Sequence, residues 1–263
     1  MMRVIRSEIA RLKTPSFILG GLGLMTVFGL MATAIVLFTV GSGSVSGPPN
    51  TQGITLQALE ASDGMFVPVS NFVGMLGIVA LAMWAMAVTS DYSSGLIRLL
   101  VQAQPNRLRL LSGKVVALTA LTCLATLVTS VVILIVSPGI ASLAGVSTSA
   151  WSTGLLGTAV EHYVQLTACV LLWGVVGLFV GMMTRSAGLS IGIGIGYLMV
   201  FEGLAGLLLD SAKKWLPGSA FSAVASGGSA DMAFGTAMIV AGAYAVGALA
   251  LTAVTFRRRD ITA

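Results

Sequence analysis

Six stretches of about 20 predominantly apolar residues constrain the fold of this chain more than any other feature. A helix rises about 1.5 Å per residue, so each stretch is long enough to cross the hydrocarbon core of a bilayer. The predicted spans cover residues 17–40, 67–90, 115–137, 163–183, 189–209 and 234–256. We therefore predict an all-α integral membrane protein in which residues 1–263 form a single transmembrane domain.

The amino-acid composition supports this prediction. Of the 263 residues, 56% are hydrophobic and only 9% are charged, whereas soluble domains carry about 25% charged residues. So little charge cannot cover a soluble domain, and a disordered chain needs the opposite balance. The first apolar run is longer than the about 7–15 residues of a signal-peptide core, so we expect it to be retained as a span.

The basic residues predict the orientation of the spans. Twelve of the 14 Lys and Arg residues lie before span 1, between spans 2 and 3, between spans 4 and 5, or after span 6. The other side carries only Lys213 and Lys214. Because Lys and Arg accumulate in cytoplasmic loops, we expect both termini in the cytoplasm. On the outer side, the loop with Trp215 ahead of Pro217 is suited to a short interfacial helix.

Residues 2–14 carry the pattern of a basic amphipathic helix. Ile5, Ile9 and Leu12 recur at helical spacing and form one apolar face. Pro15 follows and is expected to end the helix. Such a helix is suited to lie in the membrane interface, although a plain basic flank that only sets topology is the alternative.

The segment between spans 2 and 3 predicts a second amphipathic helix over residues 91–104. Asp91 is a good N-cap residue, and Pro105 closes the segment. The apolar face consists of Tyr92, Leu96, Leu99, Leu100 and Ala103. A helix of this kind can dock a soluble partner, and an interfacial helix without a partner is the alternative.

These features together resemble the membrane subunit of a bacterial type 2 ABC exporter, the ABC-2 permease family. The resemblance rests on the basic N-terminal helix, on Asp91-Tyr92 with the run GLIRLL, on six spans with both ends inside, and on the tail TFRRRDIT at 255–262. It implies an elbow helix over residues 1–15 and a coupling helix over 91–104. It also implies a bacterial inner-membrane location, contact with membrane lipid, and a second permease subunit of the same or a related sequence.

The resemblance further implies a separate ATP-binding subunit that carries ATP and Mg. Residues 91–104 would couple to that subunit through Asp91, Tyr92, Arg98, Arg107 and Arg109. The chain itself lacks the phosphate-binding loop, because Val115 follows Gly113-Lys114 and Leu108 stands where the first glycine belongs. We therefore expect no cofactor on this chain and no nucleic-acid partner.

The sequence predicts neither a metal site nor a catalytic site. His162, the only histidine, lies next to Glu161, and one histidine makes no metal site without several further ligands. The two residues are expected to form a wetted pair at the outer mouth of span 4. Gly188-Leu-Ser190-Ile-Gly192 matches a nucleophile-elbow pattern, but Ser190 and His162 lie at opposite ends of the membrane. An enzyme is therefore not expected.

Two further features inside the spans are candidates for function. Glu202 lies deep in span 5, where an ionisable residue is costly and by default suggests function; bracing helices is the alternative. Small residues at a spacing of four let helices approach closely, and they predict tight packing of spans 4 and 5, within the subunit or across a dimer. These residues are Gly177, Gly181, Gly188, Gly192 and Gly196.

The resemblance thus implies an exporter, and we expect its cargo to be a hydrophobic or amphipathic molecule such as a drug, an antimicrobial peptide or a lipid. Two alternatives remain: a membrane scaffold that does not pump, and an ion-coupled carrier that uses Glu202. No proline interrupts the centre of a span, and broken spans are common in secondary carriers. This favours a mechanism driven by a partner.

Overall fold

The computed structural model describes residues 2–12, 14–43, 53–103, 106–208 and 213–258. The chain is a helical bundle with one short β-hairpin. Its helices are α1 (Met2–Leu12), α2 (Pro15–Gly41), α3 (Leu56–Glu60), α4 (Val67–Asn71), α5 (Val73–Ser93), α6 (Leu96–Ala103), α7 (Arg107–Ala144), α8 (Leu155–Thr184), α9 (Ala187–Gly196), α10 (Glu202–Leu208), α11 (Pro217–Ala225) and α12 (Phe234–Arg258). A π-helical segment, Tyr197–Phe201, joins α9 to α10, and strands β1 (Gly228–Ser229) and β2 (Met232–Ala233) pair antiparallel.

The prediction of six helices suited to cross a membrane is confirmed. In the described part of the chain, six helical segments are long and apolar enough to cross a membrane. They are Phe17–Gly41, Val73–Ser93, Arg107–Ala144, Leu155–Thr184, Ala187–Ala205 and Phe234–Arg258.

Helices α5 and α8 form the centre of the bundle, and two tryptophans fix their contact. The indole of Trp84 on α5 lies over Gly174 of α8, and the indole of Trp173 on α8 lies over Gly77 of α5. Both indoles are almost fully buried. Trp84 Nε1 also donates a hydrogen bond to Thr122 Oγ1 at 2.9 Å, which ties α7 to the same core.

Two helices differ in their bounds from the predicted spans. Helix α5 begins at Val73, because residues 67–71 form the separate helix α4. Helix α7 does not end at Pro138. A proline removes one backbone hydrogen bond, yet α7 continues to Ala144 and ends at Gly145, whose φ of 74° is accessible mainly to glycine.

The predicted helix over 91–104 was also placed too early. Asp91 and Tyr92 belong to the last turns of α5, and α6 begins only at Leu96. Ser94 donates its backbone N–H to the carbonyl of Ser90, and Gly95 takes a φ of 69°. The turn between α5 and α6 therefore depends on this glycine, and Asp91 is not an N-cap.

The span formed by α9 and α10 is not a regular helix, although it contains no proline. The π-helical segment Tyr197–Phe201 widens it immediately before Glu202. Short π-helical insertions are rare and often mark functional positions. This π-helical segment therefore lies directly before Glu202, which the sequence analysis predicts to be a candidate for function.

We name the two ends of the bundle by their contents. The basic end contains α1, α6, the first turns of α7, Arg185 and the last turn of α12. The loop end contains α3, α4, residues 145–154, α11 and the hairpin. The short helix expected near Trp215 is α11; its buried Phe221 packs edge-on against Trp173, so α11 inserts into the bundle and does not lie on its surface.

Candidate functional site

A buried cluster of four charged side chains lies at the basic end. Glu8 and Arg11 come from α1, Asp91 from the last turns of α5, and Lys114 from the third turn of α7. The cluster therefore joins three helices, and α6 lies in the connection between two of them. We call these four residues the ion cluster.

Lys114 is the centre of the ion cluster. Its Nζ lies 2.7 Å from Asp91 Oδ2 and 3.1 Å from Glu8 Oε2. The same Nζ donates a hydrogen bond to the Ala87 carbonyl at 3.1 Å. One N–H of this ammonium group therefore binds a backbone carbonyl, and the two carboxylates compensate its charge as ion pairs.

Arg11 completes the ion cluster. Its Nη2 lies 2.8 Å from Glu8 Oε1, one helical turn away on α1, and its Nη1 lies 3.9 Å from Asp91 Oδ1. Two cations thus face two carboxylates. Because taking a charge out of water is costly unless an opposite charge compensates it, this balance allows the cluster to be buried.

Burial distinguishes the ion cluster from surface salt bridges. Glu8 is 1% exposed, Asp91 6% and Lys114 9%. Exposed ion pairs contribute about 0–1 kcal/mol, whereas removing one partner of a buried pair costs about 3–5 kcal/mol. The ion cluster is therefore expected to hold α1, α5 and α7 in one fixed arrangement.

One pair of the ion cluster is local in the sequence. Glu8 is the only acidic residue in a helix rich in Arg, and it precedes Arg11 by three positions. Arg11 and Lys114 contribute to the charge pattern that predicts the orientation of the spans. In the structure α1 packs against α7, and Leu12 is buried in the main core.

The cluster also forms one end of an apolar cavity of about 580 Å³. The walls come from α2 and α5 and include Phe17, Leu24, Val79 and Met83. Leu24 is 50% exposed, so the wall that it forms is not covered by the rest of the chain. The cavity combines a long apolar surface with paired charges at one end.

Residues 24–262 match a protein family described as a protein of unknown function, DUF2705. The match covers most of the chain. The chain belongs to the DUF2705 family. No curated protein matches it. The family match begins inside α2, so Asp91 and Lys114 lie within the matched region and α1 lies outside it.

Two of the predicted coupling residues in this DUF2705 member contact other helices at the basic end. The hydroxyl of Tyr92 donates to Met182 Sδ at 2.8 Å, and the guanidinium of Arg185 lies 5.3 Å from the Tyr92 ring centroid. Arg107 Nη1 donates to the Phe256 carbonyl at 3.0 Å, so it binds the last turn of α12. Both residues therefore tie the basic end together.

The other three predicted coupling residues differ in how far their side chains are buried or described. Asp91 points into the ion cluster and leaves little surface for a partner. Arg109 is exposed at the start of α7. Arg98 lies on α6, and its side chain is outside the described part of the structure. Among the described side chains of α6, the apolar Leu99 reaches the surface and is 62% exposed.

The side chain of Glu202, the first residue of α10, lies at the N-terminus of α11. Its Oε1 accepts the backbone N–H of Ser219 at 3.1 Å, and its carboxylate contacts Gly218 so closely that a Cβ at position 218 would collide with it. The first N–H groups of a helix lack partners within the helix, so a carboxylate there acts as a cap. This geometry supports the bracing alternative for Glu202.

We expect Glu202→Gln to retain the stability of the fold and Glu202→Leu to lose about 1–3 kcal/mol. The amide oxygen of glutamine can still accept the Ser219 N–H, whereas leucine leaves that donor buried without a partner. Thermal unfolding of the purified chain in detergent measures both variants. Equal losses of stability in the two variants would show that the negative charge of Glu202 stabilises the fold and that its role as a hydrogen-bond acceptor does not.

The glycines that predict tight packing of spans 4 and 5 have two kinds of surroundings. A Cβ at Gly177 would lie 2.7 Å from Leu81 Cα, and one at Gly181 would lie 2.9 Å from Ala85 Cα, so both pack on α5. By contrast, a Cβ at each of the other three positions meets no described atom within 4 Å. These are Gly188, Gly192 and Gly196.

Proposed function

We propose that this DUF2705 member is the membrane subunit of an ATP-driven exporter, energised by a separate ATP-binding subunit. One observation carries the proposal: the ion cluster fixes α1, α5 and α7 together at the point where α6 connects α5 to α7. An exposed amphipathic helix held between fixed elements is suited to transmit the motion of a docked partner. The family description names no activity, so the proposal rests on this geometry and on the sequence resemblance.

In this proposal the partner docks on α6 and the basic end faces the cytoplasm of a bacterial cell. Leu99 presents an apolar side chain for a cleft of the partner. Displacement of α6 then moves the C-terminal end of α5 and the N-terminal end of α7 together, because Asp91 and Lys114 form an ion pair. Glu8 passes the same displacement to α1.

The cavity beside the ion cluster is suited to a cargo with both apolar and polar parts. Its apolar walls suit a hydrocarbon chain or ring system, and the paired charges at one end suit a polar group. We therefore propose a hydrophobic or amphipathic cargo that moves outward. The second permease subunit covers the mostly unburied span of residues 187–205.

Affinity purification of the tagged chain in mild detergent, followed by mass spectrometry, tests the proposal. We expect a stoichiometric soluble partner that carries a phosphate-binding loop. If the chain is recovered without such an ATPase, even after cross-linking from α6, the exporter proposal is wrong.

We expect Leu99→Glu to abolish recovery of the ATPase partner while membrane insertion is unchanged. A charge at this position cannot enter an apolar cleft without loss of its hydration. The matched control is Leu56→Glu, because Leu56 is also exposed but lies on α3 at the loop end. Equal partner recovery from both variants would exclude α6 as the docking element.

A further inference from the structure

The cavity beside the ion cluster runs along α5, and we call it the α2–α5 cavity. Its lining on α5 extends from Asp91 back to Ile78. At a rise of about 1.5 Å per residue this stretch covers about 20 Å, which is more than half of the about 30 Å thickness of a bilayer's hydrocarbon core. The cavity therefore runs from the charged side chains at the basic end to the depth at which acyl chains lie.

The rim of the α2–α5 cavity is open to the surroundings of the bundle. Leu24 on α2 is 50% exposed and Met86 on α5 is 37% exposed, and both line the cavity. Both helices are long and apolar enough to cross a membrane. The exposed rim between them therefore faces the hydrocarbon of the bilayer, from which an acyl chain can enter.

Two glycines of α2 shape the cavity. A Cβ at Gly21 would lie 2.7 Å from Met83 Sδ, so this glycine lets Met83 pack directly against α2. A Cβ at Gly20 meets no described atom within 4 Å, although Gly20 lines the cavity. The space beside Gly20 is therefore open. The total volume of about 580 Å³ is within the range of about 300–1,000 Å³ that is typical of ligand sites.

The charge at the basic end of the cavity selects the class of head group. In the described structure, the charged residues that line the cavity are the four members of the ion cluster. The side chain of Arg11 is 28% exposed, whereas those of the other three members are at most 11% exposed. The two carboxylates are thus buried against cations, and Arg11 is the accessible charged side chain. A guanidinium group is well suited to bind phosphate, so the cavity favours an anionic head group.

We propose that the α2–α5 cavity binds an anionic phospholipid of the surrounding bilayer, with one acyl chain between α2 and α5 and the phosphate group at Arg11. This inference rests on the proposed function, in which the same cavity receives an amphipathic molecule, and it names the chemistry that the cavity selects. Lipid binding needs no ATPase partner. A chain that fails to bind the lipid can still recover its partner through α6, so the two proposals fail separately.

Photo-crosslinking of the full chain in nanodiscs tests the proposal. The nanodiscs consist of phosphatidylcholine and contain a trace of probe, either phosphatidylglycerol or phosphatidylcholine with a diazirine on the same acyl chain. Adducts are mapped by mass spectrometry, and the yield on residues 78–91 is divided by the yield on α12, which is mostly exposed and outside the described lining of the cavity.

We expect this labelling ratio to be at least about fivefold higher for the phosphatidylglycerol probe than for the phosphatidylcholine probe. The choline cation of phosphatidylcholine offsets the attraction between its phosphate and Arg11, whereas phosphatidylglycerol keeps its net negative charge. Equal labelling ratios for the two probes would overturn the proposal.

Two glycine variants locate the acyl chain. We expect Gly20→Phe to lower the labelling ratio of the phosphatidylglycerol probe at least about fivefold, because the aromatic ring overfills the open space in the cavity. Gly23→Phe is the matched control on α2. A Cβ at Gly23 also meets no described atom within 4 Å, but Gly23 is outside the described lining of the cavity. An unchanged ratio for Gly20→Phe, or an equal loss in both variants, would overturn the proposal.

Arg11→Gln tests the head group. Glutamine removes the positive charge, so we expect the labelling ratio of the phosphatidylglycerol probe to fall to that of the phosphatidylcholine probe. Gly20→Phe leaves the ion cluster unchanged, so it decides the outcome even if Arg11→Gln does not fold. A retained preference for phosphatidylglycerol in Arg11→Gln would overturn the proposal.

Discussion

Lys114→Met is expected to lower the free energy of unfolding by about 3–5 kcal/mol, because it leaves the carboxylates of Glu8 and Asp91 buried with only Arg11 as a cation. Methionine fills much of the volume of the lysine stem, so the loss reports mainly on charge and hydrogen bonding. Thermal unfolding of the full chain in detergent measures it. Arg109→Met is the matched control on the same helix; Arg109 is exposed, so we expect a change within about 0.5 kcal/mol.

A double variant separates pairing from packing. If Lys114 acts through Asp91, then Asp91→Leu combined with Lys114→Met removes both charges and should recover part of the loss. Glu8 and Arg11 still form their own pair in that variant, at 2.8 Å in the parent chain. Losses that simply add would contradict the assignment of Lys114 and Asp91 as a buried pair.

The spans could be predicted because apolar length is a local property of the sequence. A helix end is less local, since it depends on the residue that caps it. Helix α7 continues past Pro138 and ends before Gly145, and Gly95 separates α6 from α5. The predicted boundary at Asp91 was wrong because a residue suited to an N-cap can equally well bury its carboxylate against a lysine from another helix.

The ion cluster could not be predicted because its members come from three segments that are distant in the sequence. The distribution of basic residues predicts that Arg11 and Lys114 lie on the same side of the membrane. Many arrangements of α1 are compatible with that prediction. Only the packing of α1 on α7 brings Glu8 to Lys114. His162 shows the same limit: the sequence predicts a wetted side chain, but the imidazole is buried and stacks on Phe66, a residue distant in the sequence.

The glycines show a similar limit of sequence patterns. A spacing of four residues marks the face of a helix that allows a close approach, but it does not name the partner. Gly177 and Gly181 contact α5, whereas the same spacing in α9 meets open space within this chain. The spacing of glycines also does not indicate the central contact between α5 and α8, in which Trp84 and Trp173 each cover a glycine of the facing helix.

Gly177→Ala is expected to destabilise the bundle by about 3 kcal/mol or more, although it adds one methyl group. The new Cβ would lie 2.7 Å from Leu81 Cα and 2.8 Å from the Leu81 carbonyl carbon. These are backbone atoms, so no rotation of a side chain can relieve the contact. Helices α5 and α8 would have to separate, and the packing of Trp84 and Trp173 would be lost with them.

Gly247→Ala on α12 is the matched control for this substitution. A Cβ at Gly247 meets no described atom within 4 Å, and alanine is the better helix former by about 1 kcal/mol. The two substitutions add the same methyl group to a glycine inside a membrane span, so they differ only in what the methyl meets. We therefore expect the thermal midpoint in detergent to fall for Gly177→Ala and to be unchanged or raised for Gly247→Ala. Equal midpoints would mean that α5 and α8 are not in backbone contact at Gly177, and the central pair of the bundle would have to be reassigned.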